Sequence, residues 1–318
     1  GWGNRSYNWE FAASVQQEVA PRVSVDIGYF RRWFGNFRVT DNLAVPANGY
    51  DQFTITAPTD SRLPNGGGYQ ICGLSAISPT AFTRTPVNVV KAVSNFGEDI
   101  RRNHFFGVGL NARLPRGIRV GGGFDAGKSS KNQCFVVDAN GVTSYSFSVT
   151  TGGSYAGQTA TTINGQKTCE TSTPLKALAM VKLNGSVPLP WDFQASAVFQ
   201  DQAGPVIDAV WAAPVSTNAA TSAPNTLGRN LAGGAATFAT PLIAPNTLYE
   251  GRIRRLDLRL TKFVNLTKRV RLQANLDAYN ALNSNAIQGI NTAFGANWLQ
   301  PNTVLDPRIF QVSGQLTF

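Results

Sequence analysis

Stretch after stretch of this chain alternates apolar and polar residues with a period of two. In Tyr7–Gln16 the odd positions Tyr7, Trp9, Phe11, Ala13 and Val15 are apolar and the even ones mostly polar; Val23, Val25, Ile27 and Tyr29 continue the pattern. It returns in Phe106, Val108, Leu110 and Ala112, in Ile118, Val120, Gly122, Phe124 and Ala126, and in Leu175, Ala177, Ala179, Val181 and Leu183. Trp191, Phe193, Ala195, Ala197 and Phe199 follow, then Leu256, Leu258 and Leu260, then Val270, Leu272, Ala274, Leu276 and Ala278. The last set is Phe310, Val312, Gly314, Leu316 and Phe318. A period of two is that of a strand with two unlike faces, so the pattern predicts about nine strands of roughly ten residues each.

The connections carry as much information as the strands. Tight ones fall at 20–22, 115–117, 188–190 and 265–268; long ones, rich in Gly, Asn, Thr, Ser and Pro, cover roughly 40–101, 128–173, 204–249 and 283–305. Short and long alternate, which places every short turn at one end of the sheet and every long loop at the other. Compact soluble domains seldom carry several loops of this length, whereas transmembrane barrels combine short periplasmic turns with long extracellular loops. Beside the leucines of the seventh strand sit Arg255, Asp257 and Arg259, and beside the apolar set of the eighth sit Arg271, Asn275 and Asp277. A face this polar opposite one this aliphatic suits a watery lumen and a lipid exterior, and these six residues are the lumen candidates. A soluble sheet with a core side and a solvent side would give the same period. The loop asymmetry favours the membrane, as do Trp9, Tyr29, Trp33 and Trp191 near strand ends, where interfacial aromatics belong.

Composition agrees with many strands and turns. Gly 31, Pro 17 and 14% charged residues are far from the profile of salt-bridged helices. Mean hydropathy is −0.12, and no run approaches the ~20 apolar residues of a transmembrane helix. Passage through a membrane would therefore require a closed barrel, the other architecture that pairs every backbone group. The formal net charge is +10. Its basic residues are spread along the chain rather than gathered in a run, so nucleic acid is not an expected partner, and anionic headgroups are the better match. The sequence starts at Gly1 without Met, which points to processing or to a longer parent chain.

Little here resembles catalytic chemistry. The single histidine, His104, lies on a predicted strand. The triple glycines at 66–68 and 121–123 are not phosphate loops, since one lies in a Pro/Asn loop and the other inside a strand. Asp257 and Asp277 have arginines beside them and read as a salt-bridge ladder rather than an acid/base pair. No metal site, cofactor or enzymatic activity is expected. Cys134 and Cys169 stand near the two ends of the second long loop, where hairpin pairing of the flanking strands would bring them together. In an oxidising compartment they are expected to form a disulfide. Cys72 has no evident partner.

Four stretches carry a family resemblance. "LYEGRIRRLDLRLTKFVNLTKRVRLQANLDAYNALNSNAI" (248–287) with the terminal "LDPRIFQVSGQLTF" resembles the end of a TonB-dependent-receptor-like outer-membrane barrel, and 7–42 resembles an earlier hairpin of its carboxypeptidase-regulatory-domain-bearing members. "TLGRNLAGG" (226–234) is similar to a loop of the same group. The resemblance implies that Phe310, Val312, Leu316 and Phe318 form the signal read by the barrel-assembly machinery. It also implies outer-membrane lipid as surroundings, a small extracellular ligand, and an energy-coupling inner-membrane complex engaged through N-terminal parts that lie outside this sequence. The expectation is an all-β chain, an antiparallel transmembrane barrel segment in which 1–318 form the C-terminal part of one outer-membrane domain without its plug and early strands. Nine strands with parallel ends cannot close antiparallel, so preceding residues are expected to complete the barrel. The expected function is binding and import of a ligand at the bacterial outer membrane; the alternative is a structural or adhesin-like β-protein in a cell-surface assembly.

Overall fold

The computed structural model describes residues 5–134, 162–215 and 227–318, together with the backbone of 146–149 and 153–156. Nine long strands form one antiparallel sheet in chain order: β1 (Tyr7–Ala20), β2 (Val23–Gly35), β3 (Ile100–Arg113), β4 (Arg119–Asn132), β5 (Met180–Leu189), β6 (Phe193–Gln202), β7 (Ile253–Asn265), β8 (Arg271–Tyr279) and β9 (Ile309–Thr317). A short tenth strand, Glu170–Thr173, pairs with the loop-side end of β4 in line with β5. Among the described residues β1 and β9 each pair on one side only, so the sheet is open, with its two edge strands parallel. No helix among them is long and apolar enough to cross a membrane.

The register turns the alternation of single strands into a property of the whole sheet. One row of directly opposed residues runs through Ala20, Val23, Ala112, Val120, Gly185, Ala197, Leu258, Ala278 and Phe310, crossing all nine strands without a polar residue. The neighbouring row on the other face reads Arg113, Arg119, Ser186, Ser196, Arg259, Asp277 and Gln311. A one-residue slip at any hairpin would exchange these faces. The apolar row starts at the last residue of β1 and reaches β9 at its second residue, a stagger that corresponds to strands tilted across the sheet as in a barrel wall. Gly122 in the triple glycine lies on the apolar face, where an added Cβ would stand 2.4 Å from the Lys182 carbonyl oxygen. Close backbone approach to β5 requires glycine there.

Three of the four tight turns use left-handed residues: Arg22 in the first, Arg116 and Gly117 in the second, Trp191 and Asp192 in the third. Trp191 and Asp192 have φ of 59° and 58°, two consecutive positive values in the three-residue connection between Leu189 and Phe193, a conformation that matches the right-handed twist of the flanking strands. Trp191 therefore belongs to the turn and not to the sixth strand, and β5 extends through Pro188 and Leu189, which the sequence pattern assigned to the turn. The fifth strand also starts later than its alternation suggested. Leu175–Leu178 form one helical turn behind Pro174, in keeping with the helix preference of Leu, Lys and Ala, and Arg252 holds that turn by donating to the carbonyls of Lys176 and Ala179.

At the opposite end, the long loops have substantial structure of their own. Tyr50–Thr56 pairs with Gln70–Ile77, and Ile71 and Cys72 pair in turn with Thr162 and Ile163 of the second loop, which also pair with Gln166 and Lys167. Val210–Pro214 pairs with Thr237–Pro241 in the third loop, and Ile287–Ile290 with Pro301–Val304 in the fourth. Nearest the sheet, Arg38–Asn42 pairs with Asn88–Ala92. Cys134 and Cys169 are joined by a disulfide across the foot of the second loop, with Cα atoms 5.1 Å apart; Cys72 is free and exposed.

Closing a loop of sequence separation 35 removes unfolded-state entropy worth roughly 4 kcal/mol in the chain-entropy model. Replacing both cysteines by alanine is therefore expected to raise hydrogen exchange in 162–173 and around Asn132, with little change in β7–β9. Limited proteolysis of the same variant gives an independent reading, and unchanged cleavage within the second loop would count against the bridge.

Candidate functional site

Two regions carry organised polar chemistry. The first is the polar face of β7, β8 and β9. Arg259 lies directly opposite Asp277, and its guanidinium donates to both carboxylate oxygens, Nη2 to Oδ2 at 3.1 Å. Arg255 Nε donates to Asp257 Oδ1 at 2.9 Å, and the same carboxylate oxygen accepts the backbone N–H of Asn280 at 2.8 Å. In the adjacent row Thr261 donates to Asn275 at 2.8 Å and Asn275 to Ser313 at 3.3 Å. Five of the six lumen candidates thus belong to three hydrogen-bonded groups on this face. Arg271 does not join them: its guanidinium stacks 4.0 Å from the centre of the Phe263 ring near the tight-turn end.

Asp277 is 3% exposed, whereas the Arg259 side chain is 44% exposed. A cation reachable by solvent over a covered carboxylate can meet an anionic solute without dissolving the pair, and the arrangement also stiffens the wall. Arg259→Ala strips Asp277 of its partner. The usual penalty for orphaning a buried charge is discounted because this pair borders water, so a loss of about 1–2 kcal/mol is expected, read as a lower urea midpoint for the sheet. Asn280 is a residue the sequence reading passed over. It sits in the left-handed region (φ 47°) at the end of β8 and donates to the carbonyls of Ser284 and Asp306, both at 2.8 Å, clamping the two ends of the fourth loop. The signal was present as an Asn directly after a predicted strand, a position suited to that backbone.

The second region is a body formed jointly by all four long loops. Ile55, Ile71 and Leu74 of the first loop, Ile163 of the second, Ala213, Val215 and Leu242 of the third and Trp298 of the fourth share one core. Polar contacts knit it further. Arg229 of the third loop pairs with Asp51 of the first, Nε to Oδ2 at 3.1 Å, and donates to the Ile77 carbonyl. Tyr69 donates to the Leu242 carbonyl at 2.5 Å, and the Trp298 indole N–H donates to the Asp208 carbonyl at 2.9 Å. Arg62 pairs with Asp60, donates to the Trp298 carbonyl and stacks on its ring at 5.3 Å. Hydrogen bonds from Arg62 hold the Asp60 carboxyl down to about 2, so the pair remains ionised across the physiological pH range.

Elsewhere, Phe310, Val312, Leu316 and Phe318 are exposed, with the first three aligned on the apolar face. Of the aromatics assigned to an interface, Trp9 lies opposite Trp33 at the loop-side end of β1 and β2, and Trp191 projects from a tight turn at the other end. Among the described residues no group of three or more His, Cys, Asp or Glu is placed to hold a metal ion.

No family model and no curated protein matches this chain. Solved structures resemble it, two of them outer-membrane proteins. The pyoverdine outer membrane receptor FpvA from Pseudomonas aeruginosa PAO1, solved with pyoverdine bound, matches over 98% of this chain and 30% of its own, at 10% identity and a TM-score of 0.44. The outer membrane transporter YddB from Escherichia coli matches over 98% of this chain and 32% of its own, at 13% identity and a TM-score of 0.46. The chain thus spans about a third of the length of each. With scores and identities this low, any functional reading rests on the chain's own geometry.

Proposed function

We propose that this chain is the C-terminal part of an outer-membrane β-barrel of the TonB-dependent-receptor type, which binds a small extracellular ligand with its loop body and passes it inward along the polar face. The observation that carries the reading is the apolar row that crosses all nine strands while the four long connections gather in one packed body at one end. Strands of 9 to 14 residues match the span of a bilayer by tilted strands, and tight turns at one end with a large body at the other match the asymmetry of bacterial barrels. The open edges of β1 and β9 support completion by further strands, because backbone groups left unpaired in lipid cost several kcal/mol each. In this reading the apolar face meets outer-membrane lipid, Phe310 to Phe318 serve the barrel-assembly machinery, and parts outside this sequence engage an energy-coupling inner-membrane complex. The role is transport rather than catalysis.

Expression of the complete gene in a bacterium with two membranes tests this directly. The protein is expected in the outer-membrane fraction, released only by detergent, and uptake of at least one solute from a panel of saccharides, peptides and metal chelates should vanish when the coupling complex is deleted. Recovery in the aqueous fraction would contradict the barrel. Outer-membrane residence with every uptake unchanged would favour the adhesin-like alternative, for which a rigid loop body is also a suitable surface.

A further inference from the structure

The apolar face turns cationic at the loop-side end of β2, β3 and β4. Arg31 lies opposite His104 and His104 opposite Lys128, while one step nearer the loops Arg102 lies opposite Trp33. All four basic side chains stand on the face whose remaining members in these strands include Ile27, Tyr29, Phe106, Val108 and Phe124. Arg31, Arg102 and Lys128 are exposed, and none of them has an ion pair among the described residues. Arg31 covers the Trp33 ring at 5.1 Å, and the Tyr29 hydroxyl is hydrogen-bonded to His104 Nδ1 at 2.7 Å.

The carboxylates of β1–β4 face away from this patch. Glu10, Asp26 and Asp125 belong to the polar face by register, and Asp99 is held by Arg101 at 2.8 Å and by Gln133 at 2.9 Å. On the far side of the sheet the same face compensates its charge, since Arg254 lies opposite Asp201 and is ion-paired to it at 3.1 Å. The cations of β2–β4 have no such internal partner, and a cation beside hydrocarbon is costly unless an anion or water meets it. A cavity of about 540 Å³ adjoins the patch at Trp33 and Arg102, and Tyr7, Phe37, Glu98 and the paired Asp99 and Arg101 are also among its lining residues.

We propose that Arg31, Arg102 and Lys128 bind the phosphate of an anionic lipid in the outer leaflet, and that the cavity receives the polar headgroup beyond that phosphate. Guanidinium groups suit phosphate because their paired N–H donors match its oxygens, and the ammonium adds a point charge. Trp33 and Tyr29 supply the amphipathic surface that belongs at headgroup depth. This inference rests on the membrane reading above.

The test is native mass spectrometry of the full-length protein in a zwitterionic detergent, titrated with bisphosphorylated lipid A, with the same lipid after phosphate removal, and with inorganic phosphate alone. Each cation near an anionic surface contributes about fivefold in affinity. Arg31→Gln/Arg102→Gln/Lys128→Gln should therefore bind the phosphorylated lipid about a hundredfold more weakly than wild type, and dephosphorylated lipid should bind wild type equally weakly. Lys268→Gln/Arg269→Gln, in a tight turn at the other end, should bind like wild type. If the triple variant fails to insert, the single variants Arg102→Gln and Lys128→Gln decide, each at about fivefold. Equal retention by wild type and variants, equal binding of the dephosphorylated lipid, or full competition by inorganic phosphate would overturn the lipid site. A wild-type protein recovered without detergent would instead overturn the membrane reading itself.

Discussion

Leu258→Arg is expected to destabilise the folded protein in a bilayer by about 2–4 kcal/mol, the depth-dependent penalty for a cation near the midplane of a transmembrane barrel. Leu258 is the sixth residue of the thirteen in β7 and lies in the apolar row between Ala197 and Ala278. Neither neighbour is an anion that could receive a guanidinium, and the side chain is too near the middle of the strand to reach a headgroup easily. In a soluble sheet the same position, 42% exposed, would accept arginine with a change of no more than about 0.5 kcal/mol. Urea unfolding in lipid vesicles separates the two cases, with Thr317→Arg on the polar face of β9 as the comparison expected to be nearly silent.

The second large effect concerns the loop body. Leu242 is fully buried, and its carbonyl accepts from Tyr69 while its N–H donates to the Ala209 carbonyl. Leu242→Ala leaves those backbone bonds possible and removes core volume, so about 2–5 kcal/mol should be lost from the body. All four loops contribute to that core, and exchange should therefore rise together in Ile55, Ile71, Ile163 and Trp298 although they are far apart in sequence. The sheet is held by its own ladders, so β7–β9 should keep their protection, as expected of separate cooperative units. Loss confined to the third loop would show that the loops do not fold as one body.

How far the sequence reveals this arrangement depends on the range of the interactions involved. The alternation in Leu256, Leu258 and Leu260 against Arg255, Asp257 and Arg259 is local, and it located β7, the face of each residue and the arginine–aspartate pairs. The spacing of Cys134 and Cys169 about a hairpin was likewise enough to bring them together. Boundaries failed where a local preference overrode the period. Leu175–Leu178 alternate acceptably with the strand beyond them, yet Pro174 and a run of helix formers turn them into a helix, and Trp191 takes a left-handed turn conformation that its apolar character conceals. The loop body was not legible at all. Ile71 and Ile163 or Asp51 and Arg229 are far apart in the chain, and no periodicity links them. The cationic patch was missed for a related reason, since Arg31, Arg102 and Lys128 look scattered until the register sets them side by side.

The most direct test of the proposal that the sheet spans a membrane is residue-by-residue solvent exposure along β7. Spin labels placed singly at 257 to 261 in the full-length protein, with Cys72 replaced by serine and the disulfide intact, can be probed in lipid vesicles with oxygen and with a water-soluble nickel chelate. Labels at 258 and 260 should be accessible to oxygen and protected from the chelate, and those at 257, 259 and 261 the reverse, giving a period of two in both readings. Equal access of the chelate to both sets would contradict a lipid-facing apolar surface and, with it, the barrel.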